Sequence, residues 1–179
     1  MKVIIDGDSL CYKAAGAAQH RDKETGVVEY EPVHFAYHNA KVLLEGILNQ
    51  CNSMDYRFFL TKTSDPDDFR RALYPEYKAN RVGLTKPKYL EHVREYYIKH
   101  HSAMVVAGIE ADDAVCMEEY KAYTEGFILE DQFPAVMSGI DKDLNQVPGY
   151  HFNPDKKEFF YVTPLDGFKS LSKQLMEGD

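Results

Sequence analysis

Strand-length apolar runs alternating with helical segments constrain this chain more than any other feature of it. The runs at residues 2–6, 56–60, 103–107 and 134–137 have the length of buried strands, with Met104, Val105 and Val106 reading as core. Residues 9–19 are Ala-rich and helix-prone, with Asp8 or Ser9 available as the N-cap. Residues 34–49 place apolar side chains at 35, 36, 40, 43, 44, 47 and 48, which is a helical period. Segments 87–100 and 111–124 read as further helices, and 20–32 as a loop or small hairpin. The last third holds a short helix near 141–146, a hairpin over 150–162 and a final helix from Pro164. This alternation predicts an α/β fold with a central, mainly parallel sheet and helices on both faces. A length of 179 residues suits one domain with a substantial core.

Composition narrows the class. Apolar residues at 44% and charged residues at 28% match a soluble globular chain, and no apolar run approaches the roughly 18 residues that span a bilayer. An acidic residue as early as Asp6 argues against a signal peptide, so a cytoplasmic location is expected. Cys11, Cys51 and Cys116 are odd in number and widely spaced, and read as free thiols of a reducing compartment. The net charge of −8 conceals an uneven distribution. Between residues 70 and 101 stand eight Lys/Arg (Arg70, Arg71, Lys78, Arg81, Lys86, Lys88, Arg94, Lys99) against three Glu, leaving that stretch at +5 and the remainder at −13. Such a segment can grip phosphates on an otherwise acidic molecule; a solvated helix face is the bland reading.

Ligands of parallel sheets sit beyond the carboxyl ends of the strands, and acidic residues fall there repeatedly. Asp6 and Asp8 follow the first strand, Glu110, Asp112 and Asp113 the third, Asp141 and Asp143 the fourth, and Asp179 ends the chain. Gathered carboxylates repel one another, and hard divalent cations relieve that repulsion. Two such ions can drive phosphodiester cleavage. Any single doublet could equally be a cap or a surface loop; three after predicted strands make a constellation.

The segments IIDGDSL (4–10), FRRALYPEYKANR (69–81), GIEADDAV (108–115) and SGIDKDLNQVPG (138–149) together resemble the 5′-nuclease family of bacteriophage 5′→3′ exonucleases and flap endonucleases, whose fold is related to PIN domains. The resemblance implies a metal-dependent nuclease that hydrolyses DNA from 5′ ends or flaps with two divalent cations, Mg²⁺ or Mn²⁺. RNA–DNA hybrids are further candidate substrates, and a phage protein in the host cytoplasm is implied. Asp6, Glu110, Asp112, Asp113, Asp141, Asp143 and Asp179 become the metal carboxylates. Lys78 and Arg81 become the basic pair at the scissile phosphate, with Arg70, Arg71 and Tyr77 contacting substrate. Segment 72–90 becomes an arch over the site. The bland readings are loop solvation for the basic pair and edge packing for Tyr77.

The chain departs from that family pattern at two places. Relatives carry an Asp shortly after the second strand, where this chain reads LTKTSDP, so either Asp65 serves or that ligand is absent; Asp67 and Asp68 read as helix caps. The tail FKSLSKQLMEGD matches the helix before the family's GDxxDN motif, with Asp179 as its first aspartate, so a fragment lacking the helix-three-turn-helix DNA-binding module is expected. Other readings stay open. VIIDGDS also resembles the DxDx[TS] loop of haloacid-dehalogenase-like phosphatases, which leaves YKANR and EADD unexplained. A non-catalytic nucleic-acid-binding protein would carry clustered acids at a cost to stability. A PIN-type ribonuclease is a near neighbour. His34 and His38, spaced i, i+4, fit an exposed helix face better than a zinc site, and His100-His101 suit a helix C-terminus. Nothing in the sequence calls for an obligate oligomer, so a monomer is expected.

Overall fold

A computed structural model describes residues 1–64, 69–78, 83, 85–129 and 135–177, with the backbone alone at residues 71 and 126–129. The chain starts in the middle of its own sheet. Strand β1 (Lys2–Asp6) pairs in parallel with β4 (Tyr56–Thr61) on one side and β6 (Ala135–Ser138) on the other. Val3, Ile4 and Ile5 are wholly buried, as expected for a parallel strand covered on both faces. Parallel β5 (Met104–Val106) and β7 (Gly149–Asn153) flank this trio, and antiparallel β8 (Glu158–Val162) closes the order β5-β4-β1-β6-β7-β8.

Alternating side chains of one strand feed two cores. Val3 and Ile5 point to the face covered by α1 (Gly7–Gly16), α2 (Val33–Gln50) and α4 (Leu90–His101), joined there by Phe58, Leu44, Val93 and Tyr97. Ile4 points to the opposite face, under α5 (Ala111–Leu129), with Phe59, Val115, Met137 and Leu144. Tyr97 locks the first face. It is fully buried, its hydroxyl donates to the Ala40 carbonyl at 2.8 Å, and its ring lies 4.4 Å from that of Phe58. Gly7 opens α1 so close to β4 that a Cβ there would overlap the Phe58 ring. The remaining elements are the hairpin of β2 (Gln19–Arg21) and β3 (Val28–Tyr30), short α3 (Phe69–Leu73), a 3-10 helix (Lys142–Gln146) and α6 (Pro164–Glu177), which packs on that 3-10 helix.

Several expectations need adjustment. Helix α1 starts at Gly7, and its N-cap is Asp6, whose carboxylate accepts from the Asp8 amide; Asp8 lies inside the first turn and does not cap. Strand β5 is no core strand, because among the described residues it pairs only with β4, at the sheet edge, leaving Met104 and Val105 exposed. Helix α4 begins at Leu90, three residues later than the sequence suggested, and α5 continues to Leu129. Cys11, Cys51 and Cys116 are free, His34 and His38 are exposed, and no helix among the described residues is long and apolar enough to cross a membrane.

Candidate metal centre at the strand ends

Helices leave β1 and its neighbour β6 on opposite faces of the sheet, so the strand ends part there and leave a crevice, the usual ligand position in such folds. A cleft of about 370 Å³ opens at this point, and Asp6, Asp8, Glu110, Asp112, Asp141 and Lys78 line it. The acids are placed by local rules. Asp6 caps α1 through the Asp8 amide at 3.2 Å, and Asp141 caps the 3-10 helix through the Asp143 amide at 3.0 Å. Asp112 sits in the first turn of α5. Helix N-termini favour negative charge, which offsets part of the repulsion among these groups.

The offset is incomplete. Asp6 is 9% exposed, and burial, followed by the nearby Asp8 charge, pushes its carboxyl up to about 7, with Asp112 and Asp141 adding to the rise. Burial, then Asp113 and Glu110, raise Asp112 to about 6. Oxygen-only donors that resist joint ionisation are what a hard divalent cation relieves, so the donor set fits one chemically. No group of three His, Cys, Asp or Glu among the described residues is gathered closely enough to enclose an ion.

Two acids are engaged by basic partners from the chain following β4. Lys78 donates to Glu110 at 2.6 Å, and the Tyr77 hydroxyl donates to the same carboxylate at 3.1 Å. Arg70 grips Asp113 with both terminal nitrogens, at 2.5 and 2.7 Å, the fork geometry that makes arginine–carboxylate pairs strong. Asp113 also accepts from the Glu110 amide at 3.0 Å. Burial works to raise Asp113, but the Arg70 bonds prevail and hold it below the usual carboxylate range. For Lys78 burial works downward, and the Glu110 bond and charge carry its pKa above the usual lysine value. Lys78 takes this position with a backbone φ of +56°, an uncommon conformation for a side-chain-bearing residue.

The structure therefore brings Asp6, Glu110, Asp112, Asp141 and Lys78 to one cleft. Asp113 is held by Arg70, and Asp143 accepts from Gln174 of α6 at 2.7 Å. Asp65, Asp67, Asp68, Arg81 and Asp179, and the side chain of Arg71, lie outside the described residues. Sequence reasoning counted Arg94 only within the basic stretch and gave it no role of its own. It lies on the inward face of α4 beside Val93 and Tyr97, is 9% exposed, and donates to Asp8 at 2.6 Å. A charge on an apolar helical stripe was the available signal, since a buried arginine requires a partner.

The model of the 5′-3′ exonuclease N-terminal resolvase-like domain matches residues 1–158. The chain also superposes on the flap endonuclease of bacteriophage T5 in a pseudo-enzyme–product complex with DNA and metal ions, with a TM-score of 0.68, 17% identity, and 99% of this chain and 66% of that one covered. A structure of the same phage protein co-crystallised with metal ions gives a TM-score of 0.65 at 16% identity and the same coverage. The T5 5′-exonuclease with zinc bound gives 0.55 at 16% identity, covering 89% of this chain and 58% of that one. At such identities these likenesses speak to the fold. The chain spans about two thirds of the length of the first two. No curated protein sequence matches it. The phosphatase reading of VIIDGDS is set aside by the family match, and Asp8, the second aspartate of that loop, is ion-paired with Arg94.

Proposed function

The chain belongs to the family of the 5′-3′ exonuclease N-terminal resolvase-like domain, and from that premise we propose that it is a metal-dependent 5′-nuclease hydrolysing DNA phosphodiester bonds from 5′ ends or flaps. The observation that carries this reading is the cleft at the strand ends, where Asp6, Glu110, Asp112 and Asp141 face Lys78. Asp6, Glu110, Asp112, Asp113, Asp141 and Asp143, with Asp179, would hold two divalent cations, Mg²⁺ or Mn²⁺. Bound there, such ions supply Lewis acidity for water activation and for the departing oxygen.

The protein's own groups divide the remaining work. Lys78 and Arg81 bind the non-bridging oxygens of the scissile phosphate and offset the negative charge that grows there during attack. Lys78 could do so because its partner Glu110 is itself a proposed ligand: with Glu110 holding a cation, the Lys78 ammonium would be free to bind the phosphate. Arg70, Arg71 and Tyr77 bind the strand beside it, a phosphate on each guanidinium and a base on the ring. The structural likeness to the T5 flap endonuclease held with DNA supports this class of partner. A monomer acting in the cytoplasm of a phage-infected host, with RNA–DNA hybrids as further substrates, completes the reading.

The test is cleavage of 5′-labelled flap and blunt DNA with Mg²⁺, Mn²⁺ or EDTA, alongside an Asp141→Ala/Asp143→Ala variant. Metal-dependent cleavage that disappears in the variant is expected. No cleavage with either metal, on this chain and on one extended past Asp179, would overturn the proposal.

A further inference from the structure

Helix α4 packs its Leu90, Val93 and Tyr97 stripe into the core, and Arg94 interrupts that stripe directly beneath the cleft. Its guanidinium joins three elements. Nη1 donates to Asp8 Oδ1 of α1 at 2.6 Å, Nη2 donates to the carbonyl of Thr61 at the end of β4, and Nε lies 3.8 Å from Glu91. Asp8 in turn accepts from the Thr61 amide, at 3.2 Å to Oδ2 and 3.4 Å to Oδ1. The Asp8 carboxylate is thus pinned against the carboxyl end of β4, two residues from Asp6, yet lines the cleft with 28% of its side-chain surface exposed.

A purely structural role explains this arrangement poorly. A buried ion pair is often no more stabilising than well-packed apolar residues of similar volume, and the surrounding stripe is apolar. Its geometry suits another task. Oδ1 is engaged by Arg94 and Oδ2 by the Thr61 amide, and the Arg94 charge offsets that of the carboxylate, so Asp8 is a weaker direct ligand for a cation. An ionised carboxylate has about four lone-pair sites, and those facing the cleft remain able to accept from water. Mg²⁺ dehydrates reluctantly and keeps several waters in such sites.

Resting on the nuclease reading above, we propose that Asp8 is an outer-sphere carboxylate that accepts hydrogen bonds from the water shell of a divalent cation in the Asp6 cleft, and that Arg94 is the positioning residue that aims it. Outer-sphere partners fix the orientation of a metal's shell and commonly govern affinity by about 10–100-fold. Arg94 acts through Asp8 and the Thr61 backbone, and its loss lets the carboxylate swing away from the cleft.

Mn²⁺ titration of the whole chain, read by the EPR signal of the free ion, tests this without relying on turnover. Asp8→Asn preserves shape and is expected to weaken Mn²⁺ binding about 10-fold or more. Arg94→Met is expected to weaken it comparably, and the double variant no further than either single one, because the two act as a unit. Arg94→Lys, which keeps the charge without the fork, should fall between wild type and Arg94→Met. Wild-type Mn²⁺ affinity in a folded Asp8→Asn variant, with or without a lowered melting temperature, overturns the inference and leaves the nuclease reading standing. Absence of Mn²⁺ binding by the wild-type chain, together with absence of cleavage, overturns both.

Discussion

The two walls of the cleft are built differently. On one side Asp6, Asp8 and Arg94 stand on β1, α1 and α4, elements whose inward faces form the larger core. On the other, Arg70, Tyr77 and Lys78 come from a five-residue helix and an exposed turn, and reach Glu110 and Asp113 by side-chain contacts alone. Negative charge is offset on both sides, but by unlike means. Arg94 is 9% exposed and also held by a backbone carbonyl, so it is the more firmly fixed counter-ion. Lys78 and Arg70 are partly exposed, and in the proposed nuclease each would trade a carboxylate for a phosphate. The proposed nuclease would use both kinds, a fixed one for geometry and an exchangeable one for substrate.

Substitutions can break or sharpen this contrast. The largest effect should be on the fixed wall. Tyr97→Ala removes a fully buried ring and its bond to Ala40, and is expected to cost about 3–5 kcal/mol in chemical denaturation. Lys78→Ala should show the opposite profile. Cleavage is expected to slow by roughly 10²–10³-fold with little change in melting temperature; a fall in stability matching that of Tyr97→Ala would erase the distinction between the walls.

Glu119 provides a control away from both. It is 2% exposed on α5, with Oε2 unpartnered among the described residues, and burial pushes its carboxyl up to about 8. The folded state therefore holds a proton that the unfolded chain releases near its ordinary value of 4.5. Stability should fall as pH rises from that value towards 8 and then level off. Glu119→Gln should flatten this slope and be the more stable protein at pH 8, by on the order of 2 kcal/mol in urea titrations at several pH values. The smallest effect is expected for Arg70→Ala. Its fork to Asp113 is about a quarter exposed at both ends, so part of its strength is lost to solvent and stability should drop by roughly 1 kcal/mol, while DNA affinity weakens with a shallower salt dependence.

Much of this was legible in the residues. The uninterrupted apolar run before Asp6 required a strand buried on both faces, the period of residues 34–49 required a helix, and each acidic doublet could be placed at a strand end. These are local matters, set by side-chain period and by the caps that short polar residues provide. The sequence also contained the family resemblance, in motifs whose order survives any packing.

What the residues could not decide is which strands become neighbours. β1 lies between β4 and β6, and β5 is left at the edge with Met104 and Val105 exposed; apolar character alone made all four early strands look equally central. The partners of Arg94 depend on the same choice. Residues 8, 61 and 94 meet because β1 pairs with β4 and α4 packs against α1. Side-chain pattern fixes which face of an element is buried, but the contacts made across the fold follow from strand order and helix packing, which sum interactions over the whole chain.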